Sequence, residues 1–154
     1  MNKITIIAVG ALKDLSYQAL VKQYQTRLAP YALIKIIESQ AYSFNDRTSK
    51  QAKHQERQGL ERLVHRFSKE QIYLLAEGNS DLDSKGFAKL LAKNESSHLV
   101  FVIAGALGWE EGFKDSYQSL SLSNLTFPHE LARLILLEQI YRGISINNGK
   151  KYHY

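Results

Sequence analysis

The side chains best equipped for chemistry crowd into the last third of the sequence. Residues 120–129 read Leu-Ser-Leu-Ser-Asn-Leu-Thr-Phe-Pro-His, and Arg133, Glu138, Tyr141 and Arg142 follow. The sequence closes on Tyr152-His153-Tyr154. Glu138 and Arg142 are four residues apart, the order in which an acid and a base pair along a helix, and such a pair is often no more than surface decoration. Here, however, Arg133, Glu138 and Arg142 share their segment with Leu131, Leu134, Ile135, Leu136, Leu137, Ile140 and Ile144. A helix that apolar is covered on more than one side, so its polar residues need partners or face a site or a subunit interface. A tail of tyrosine and histidine is also unlike a frayed terminus.

A second candidate lies upstream, where Ile103-Ala104-Gly105-Ala106-Leu107-Gly108 follows a β-branched run. Glycine after a strand lets a ligand approach the backbone and lets free amides point at it. A glycine turn with no ligand is equally common. The segment has neither the Gly-Lys-Ser/Thr of a phosphate loop nor a dinucleotide fingerprint. Other chemistries are poorly served. The absence of cysteine removes disulfides, thiolate metal sites and cysteine nucleophiles. His54, His65, His98, His129 and His153 have no spacing typical of a zinc site, so no metal is expected. No Gly-x-Ser-x-Gly elbow occurs.

The elements that must position these residues alternate in type. Lys3–Val9, Ala32–Ile37, Gln71–Ala76 and His98–Ala104 read as buried strands, with a short final strand at Ser119–Ser123. Helical spacing covers Asp14–Leu28, Asp46–Phe67 and Asp83–Leu91, with a short helix at Trp109–Tyr117. A last helix runs from His129 to about Ile146, with Pro128 in its first turn, where no amide bond is lost. Strands alternating with helices predict an α/β fold, a mostly parallel sheet flanked by helices in a single domain over residues 1–154. The apolar N-terminus reads as a first strand rather than a signal peptide, and no run is long enough to span a membrane. A cytoplasmic location follows by default.

The net charge of +5 is unevenly spread: residues 1–70 carry 12 Lys and Arg against 6 Asp and Glu, residues 71–125 carry 4 against 7, and residues 126–154 carry 4 against 2. The basic excess near both ends points to a polyanionic partner, although the same charge would also serve simple solubility. The helix at 46–67 bears Arg47, Lys50, Lys53, Arg57, Arg62 and Arg66. It is either an RNA-facing surface or a solvated face.

The pattern Leu-Ser-x-Leu-Thr-Phe-Pro-His, then Arg, Glu, Tyr-Arg and a terminal Tyr-His, resembles the RlmH (YbeA-like) family of ribosomal RNA large-subunit methyltransferases, of the SPOUT class. The likeness covers the whole chain and includes the opening Ile-Ala-Val-Gly10. The sequence departs from the family at Ala104, where glycine is usual, and at Ala106-Leu107-Gly108. The resemblance implies a C-terminal deep trefoil knot, which periodicity does not show, and a homodimer whose sites are completed by the partner. It implies S-adenosyl-L-methionine as cofactor, held by Leu74, Gly105 and the run Leu122, Ser123, Asn124, Leu125, Thr126 and Phe127. The implied reaction is methyl transfer to N3 of a pseudouridine in 23S ribosomal RNA of the assembled ribosome. His153, Tyr152 and Arg142 are the candidates for binding or activating the base, with His153 a possible proton acceptor and Arg142 a possible anion stabiliser. A non-catalytic RNA-binding module of the same fold is the alternative, and a different nucleotide-using α/β enzyme is a second.

Overall fold

The hydrophobic runs form five parallel strands with helices on both faces. The computed structural model describes residues 1–78, 82–150 and 152. Strands β1 (Asn2–Val9), β2 (Ala32–Ser39), β3 (Ile72–Leu75), β4 (His98–Ile103) and β5 (Gln118–Leu120) make one sheet in the order β2-β1-β4-β3-β5. Every pairing is parallel, so the sheet expected to be mostly parallel is wholly so among the described residues. Helices α1 (Leu15–Leu28), α2 (Ser49–Val64), α3 (Ser84–Lys93) and α4 (His129–Asn147) cover it.

Because alternate side chains of a strand point to opposite faces, each central strand feeds two cores. Ile4, Ile6 and Ala8 of β1 and Leu99, Phe101 and Ile103 of β4 pack with Val21 and Leu28 of α1, Leu91 of α3, and Leu136, Leu137 and Ile140 of α4. On the opposite face Ile7, Val9, Val100, Val102, Ile72 and Leu74 pack with Leu60 and Val64 of α2 and with Phe113. Helices α3 and α4 approach closely at Gly143, where a Cβ would lie 2.8 Å from Leu91 Cδ1 and 3.3 Å from the Ala88 Cα. Any side chain there would push the two helices apart.

Two segments differ from the sequence reading. The helix expected at Trp109–Tyr117 is only a 3-10 turn at Lys114–Ser116. Gly112 takes a left-handed φ of 84° in the middle of the segment, and the Trp109 indole is drawn away to donate to the Leu75 carbonyl at 2.9 Å. The long helix is also shorter at both ends than the expected Asp46–Phe67. Asn45 Oδ1 accepts from the amides of Arg47 and Thr48, which holds the entry in a turn.

The basic face of α2 is partly neutralised. Arg57 donates to Glu61 at 2.9 Å and to Glu110 at 3.1 Å, and Glu110 also bonds His54 Nδ1. These contacts fasten the loop after β4 onto α2. His98 is likewise structural. Its Nε2 lies 2.8 Å from Thr5 Oγ1, its ring packs edge-on against Phe67, and burial pushes its pKa down.

The first turns of α4 are tied to the sheet by a buried cation. Arg133 is 1% exposed, and it donates to Glu38 Oε1 of β2 at 2.6 Å and to the Gly10 carbonyl at 2.9 Å. One turn earlier, Glu130 Oε1 accepts from the Lys13 amide at 2.6 Å. Together they lock the start of α4 over the ends of β1 and β2. Replacement of Arg133 by methionine keeps the apolar stem but leaves the Gly10 carbonyl and Glu38 without their donor. Arg133→Met should cost about 2–3 kcal/mol in urea denaturation. A loss below about 0.5 kcal/mol, the scale of an ordinary surface change, would show that the arginine does not anchor the helix.

Candidate functional site

A parallel sheet presents its strand ends, with their unpaired backbone groups, at one edge, and ligands gather there. At the carboxyl edge of β3, β4 and β5 lies a cavity of about 930 Å³. Three segments wall it. Leu75, Ala76 and Glu77 come from the end of β3. Ile103, Ala104, Gly105, Ala106, Gly108 and Trp109 come from the loop after β4. Leu122, Ser123, Leu125, Thr126 and Phe127 run into Pro128, His129 and Ala132 at the start of α4. Its walls mix apolar faces with a few polar groups, and its size suits a small-molecule cofactor.

Each wall has a local cause. The Ala76 amide donates to the Leu120 carbonyl at 3.0 Å and carries the β3–β5 pairing one residue past the strands. The Gly108 amide closes a turn onto the Gly105 carbonyl at 3.0 Å. Gly105 itself must be glycine, because a Cβ there would sit 2.9 Å from Val9 Cγ1 and 3.3 Å from Glu56 Oε2. Ser121 Oγ donates to the Ser123 carbonyl at 2.8 Å, and the Leu125 amide donates to Ser123 Oγ at 3.0 Å. The run between β5 and α4 is therefore a structured wall without regular secondary structure.

Most of the sequence-predicted cofactor residues meet here. Gly105, Leu122, Ser123, Leu125, Thr126 and Phe127 all line the cavity, whereas Asn124 belongs to the same run but does not. Leu74 is fully buried in the core beneath α2, and its neighbour Leu75, packed against the opposite core, is the β3 residue that lines the cavity instead. Leu125 is 72% exposed, so one end of this wall stands open to solvent.

The residues predicted to handle the target base lie elsewhere. Arg142 is on the cavity-forming helix but thirteen residues beyond His129, about 20 Å along its axis. Its guanidinium donates through Nε and Nη2 to Glu138 Oε1 at 3.1 and 2.9 Å. The Tyr152 ring centroid is 5.0 Å from the Arg142 guanidinium carbon and 5.0 Å from the Tyr141 ring, which in turn packs edge-on against Tyr24 of α1. Burial, then the neighbouring Tyr24 and Glu138, push the Tyr152 phenol pKa up, so this hydroxyl stays protonated at neutral pH. Arg142 and Tyr152 thus form one cluster at the far end of α4. His153 lies outside the described residues.

Two residues near the cavity, Trp109 and Glu56, escaped the sequence reading, and a third, His129, was part of the quoted motif without a role assigned to it. Trp109 lines it and fixes β3 to the loop after β4, and a lone tryptophan directly after a glycine turn was the available signal. His129 lines it from the first position of α4. Glu56 is buried under Gly105 with Oε2 unpartnered, and burial raises its pKa against the lowering effects of the Tyr42 amide and His129. The signal for Glu56 was its place in the i,i+4 row Ala52-Glu56-Leu60-Val64, whose other members are core residues. Among the described residues no cluster of three His, Asp or Glu side chains could hold a metal ion, and no helix is long and apolar enough to cross a membrane.

The chain is similar to proteins of known family along its whole length. It is 37% identical to the Ribosomal RNA large subunit methyltransferase H of Acetivibrio thermocellus, with 98% of this chain and 99% of that protein aligned. The protein of the same name from Clostridium kluyveri is 36% identical over 97% of this chain and 98% of its own length. That from Mycoplasmopsis agalactiae is 32% identical over 99% of each. The sequence model of the family described as "Predicted SPOUT methyltransferase" matches residues 2–153, and the five-stranded parallel sheet with its flanking helices agrees with that fold. This chain therefore belongs to the SPOUT methyltransferase family.

Proposed function

We propose that this chain is an S-adenosyl-L-methionine-dependent methyltransferase that modifies N3 of a pseudouridine in 23S ribosomal RNA, in the cytoplasm, as a homodimer. The observation that carries the reading is the cavity at the ends of β3, β4 and β5, with the 122–127 run as its wall. Its residues fit the cofactor. Gly105 holds the turn after β4 tight against Val9 and Glu56 as the back wall, Leu75, Leu122 and Phe127 line the cavity as apolar residues, and Glu77, Ser123 and Thr126 as polar ones. The relatives' names supply the substrate class.

When bound, the cofactor supplies an electrophilic methyl group. What the protein must add is alignment of the nucleophile and removal of the N3 proton. The cluster of Arg142 and Tyr152, with His153 beside it in sequence, carries suitable groups. A guanidinium stabilises the base as it becomes anionic, a protonated phenol donates a hydrogen bond, and an imidazole accepts the proton. That cluster is about 20 Å along α4 from its own cavity, so the reading requires a second copy to bring it to the neighbouring site. Leu131 and Ile135 on α4 are only half-buried and lie outside the packed core, which gives a second copy an apolar face to cover. The C-terminal knot implied by the family resemblance belongs to the same reading.

The substrate is the assembled ribosome. The net charge is only +5, Arg57 is already paired with Glu61 and Glu110, and Lys50, Lys53 and Arg62 of α2, with Arg66 just past its end, remain for phosphate contacts. Such a surface gives modest, salt-sensitive affinity, so specificity depends on a preformed RNA shape.

Calorimetry should show S-adenosyl-L-methionine binding to the wild-type protein and no binding to Thr126→Trp, in which a bulky ring replaces an exposed residue of the cavity wall. Normal binding by that variant would place the cofactor elsewhere. With labelled cofactor, methyl transfer should be found on assembled ribosomes and be at least tenfold slower on protein-free RNA. Equal rates on the two would reject the ribosome as the recognised substrate.

A further inference from the structure

Two cations rest on tyrosine rings at the end of the fold where α1 and α4 finish. The Arg27 guanidinium carbon, in the last turn of α1, is 5.4 Å from the Tyr24 ring centroid and 6.0 Å from that of Tyr141. Lys150, just past α4, has its Nζ 4.1 Å from the Tyr31 ring centroid and donates to the hydroxyl of the same residue. Both cations are exposed, and among the described residues neither pairs with a carboxylate. Arg142 differs, because its Nε and Nη2 are given to Glu138. Aromatic contacts link Arg27 to Arg142: Tyr24 packs edge-on against Tyr141, Tyr141 against Tyr152, and the Tyr152 ring lies by the Arg142 guanidinium.

A cation near the end of α1, or just past α4, suits the dipole of its helix. A loose side chain would serve a dipole equally well, so the dipole does not account for the rings that hold both cations. A ring face fixes a cation and leaves most of its N–H donors unused. Donors held in place and committed to no acid suit an anion with several acceptor oxygens, and RNA phosphates are such anions.

We propose that Arg27 and Lys150 bind the RNA phosphates that flank the target nucleotide, and so hold the backbone while the base is delivered to Arg142 and Tyr152. This rests on the reading of that cluster as the place where the base is handled. An enzyme that acts on a base must take it out of its stack, and backbone contacts fix which nucleotide swings out. The charges divide the work. Arg142, already neutralised by Glu138, is kept for the base, and the cations without acids take the phosphates.

Four variants test it: Arg27→Gln, Lys150→Gln, the double substitution and Arg27→Lys. The first readout is affinity for ribosomes at several salt concentrations. Each neutral variant should bind about tenfold more weakly, and its slope of log affinity against log salt should be shallower by about 0.7–0.9, the share of one phosphate contact. The double variant should show both losses added together. Arg27→Lys keeps the charge, so it should keep the slope while losing part of the affinity. In methyl transfer to ribosomes, KM should rise in the neutral variants and kcat should stay within about twofold of wild type. Affinity for S-adenosyl-L-methionine and midpoints of urea unfolding should not change, which separates substrate binding from packing. Unchanged affinity and slope in either neutral variant, or a fall in kcat at constant KM, would overturn the proposal. So would dissociation into single chains on sedimentation, which would assign the cations to a protein contact. A wild-type protein that binds ribosomes without transferring methyl groups would instead reject the proposed activity, and the salt dependence would still report on the two cations.

Discussion

The arrangement of this protein depends on a buried arginine. Arg133 reaches from the first turns of α4 to the Gly10 carbonyl at the end of β1 and to Glu38 of β2. A charge sealed in this way is stable only with its partners in place, so it fixes where α4 starts. Everything at the carboxyl edge of the sheet follows from that point. The segment before α4 must cross from β5, at one edge of the sheet, to the ends of β1 and β2 at the other, and in crossing it becomes the outer wall of the cavity. The rigid helix beyond Arg133 then carries Glu138, Arg142 and the Tyr152 cluster away from that cavity.

One helix therefore serves two places. Its first turn contributes Pro128, His129 and Ala132 to the cavity, and its last turns gather Tyr141, Arg142 and Tyr152 against Tyr24 of α1. A single chain cannot bend a nineteen-residue helix so that both ends meet. The distance is useful if the chain works with a second copy, because each end then completes a different site. The ion pair of Arg142 with Glu138 keeps the guanidinium in a defined place.

Much of this was legible from the residues. Strand and helix alternation gave the α/β class, and all five strands appear within a few residues of their expected positions because β-branched runs ending in glycine or polar turns are strong local signals. The 122–127 run and Gly105 were recognisable as cavity walls through the family resemblance and the glycine turn. What local patterns could not supply were long-range partnerships. Leu74 and Leu75 differ by one residue, yet that step puts the first into the α2 core and the second on the opposite face, where it lines the cavity. Trp109–Tyr117 has helix-compatible residues, but Gly112 and the bond from Trp109 to Leu75 override them. Arg57 looked like a free cation on a basic helix until Glu110, 53 residues away, came beside it. Glu56 is conspicuous only once its row is known to face the core.

The central claim is that the cavity of one chain works with the Arg142 cluster of another, and mixing two inactive variants tests it most directly. Thr126→Trp has its cavity blocked and keeps its Arg142 cluster, while Arg142→Ala keeps the cavity and loses the cluster. Each alone should fail to transfer methyl groups to ribosomes. If subunits exchange freely, half of the dimers in an equal mixture are mixed and each has one intact site, so activity should return to about a quarter of wild type. A mixture that stays inactive after subunit exchange has been verified would contradict the account, because both halves of the site would then have to come from the same chain.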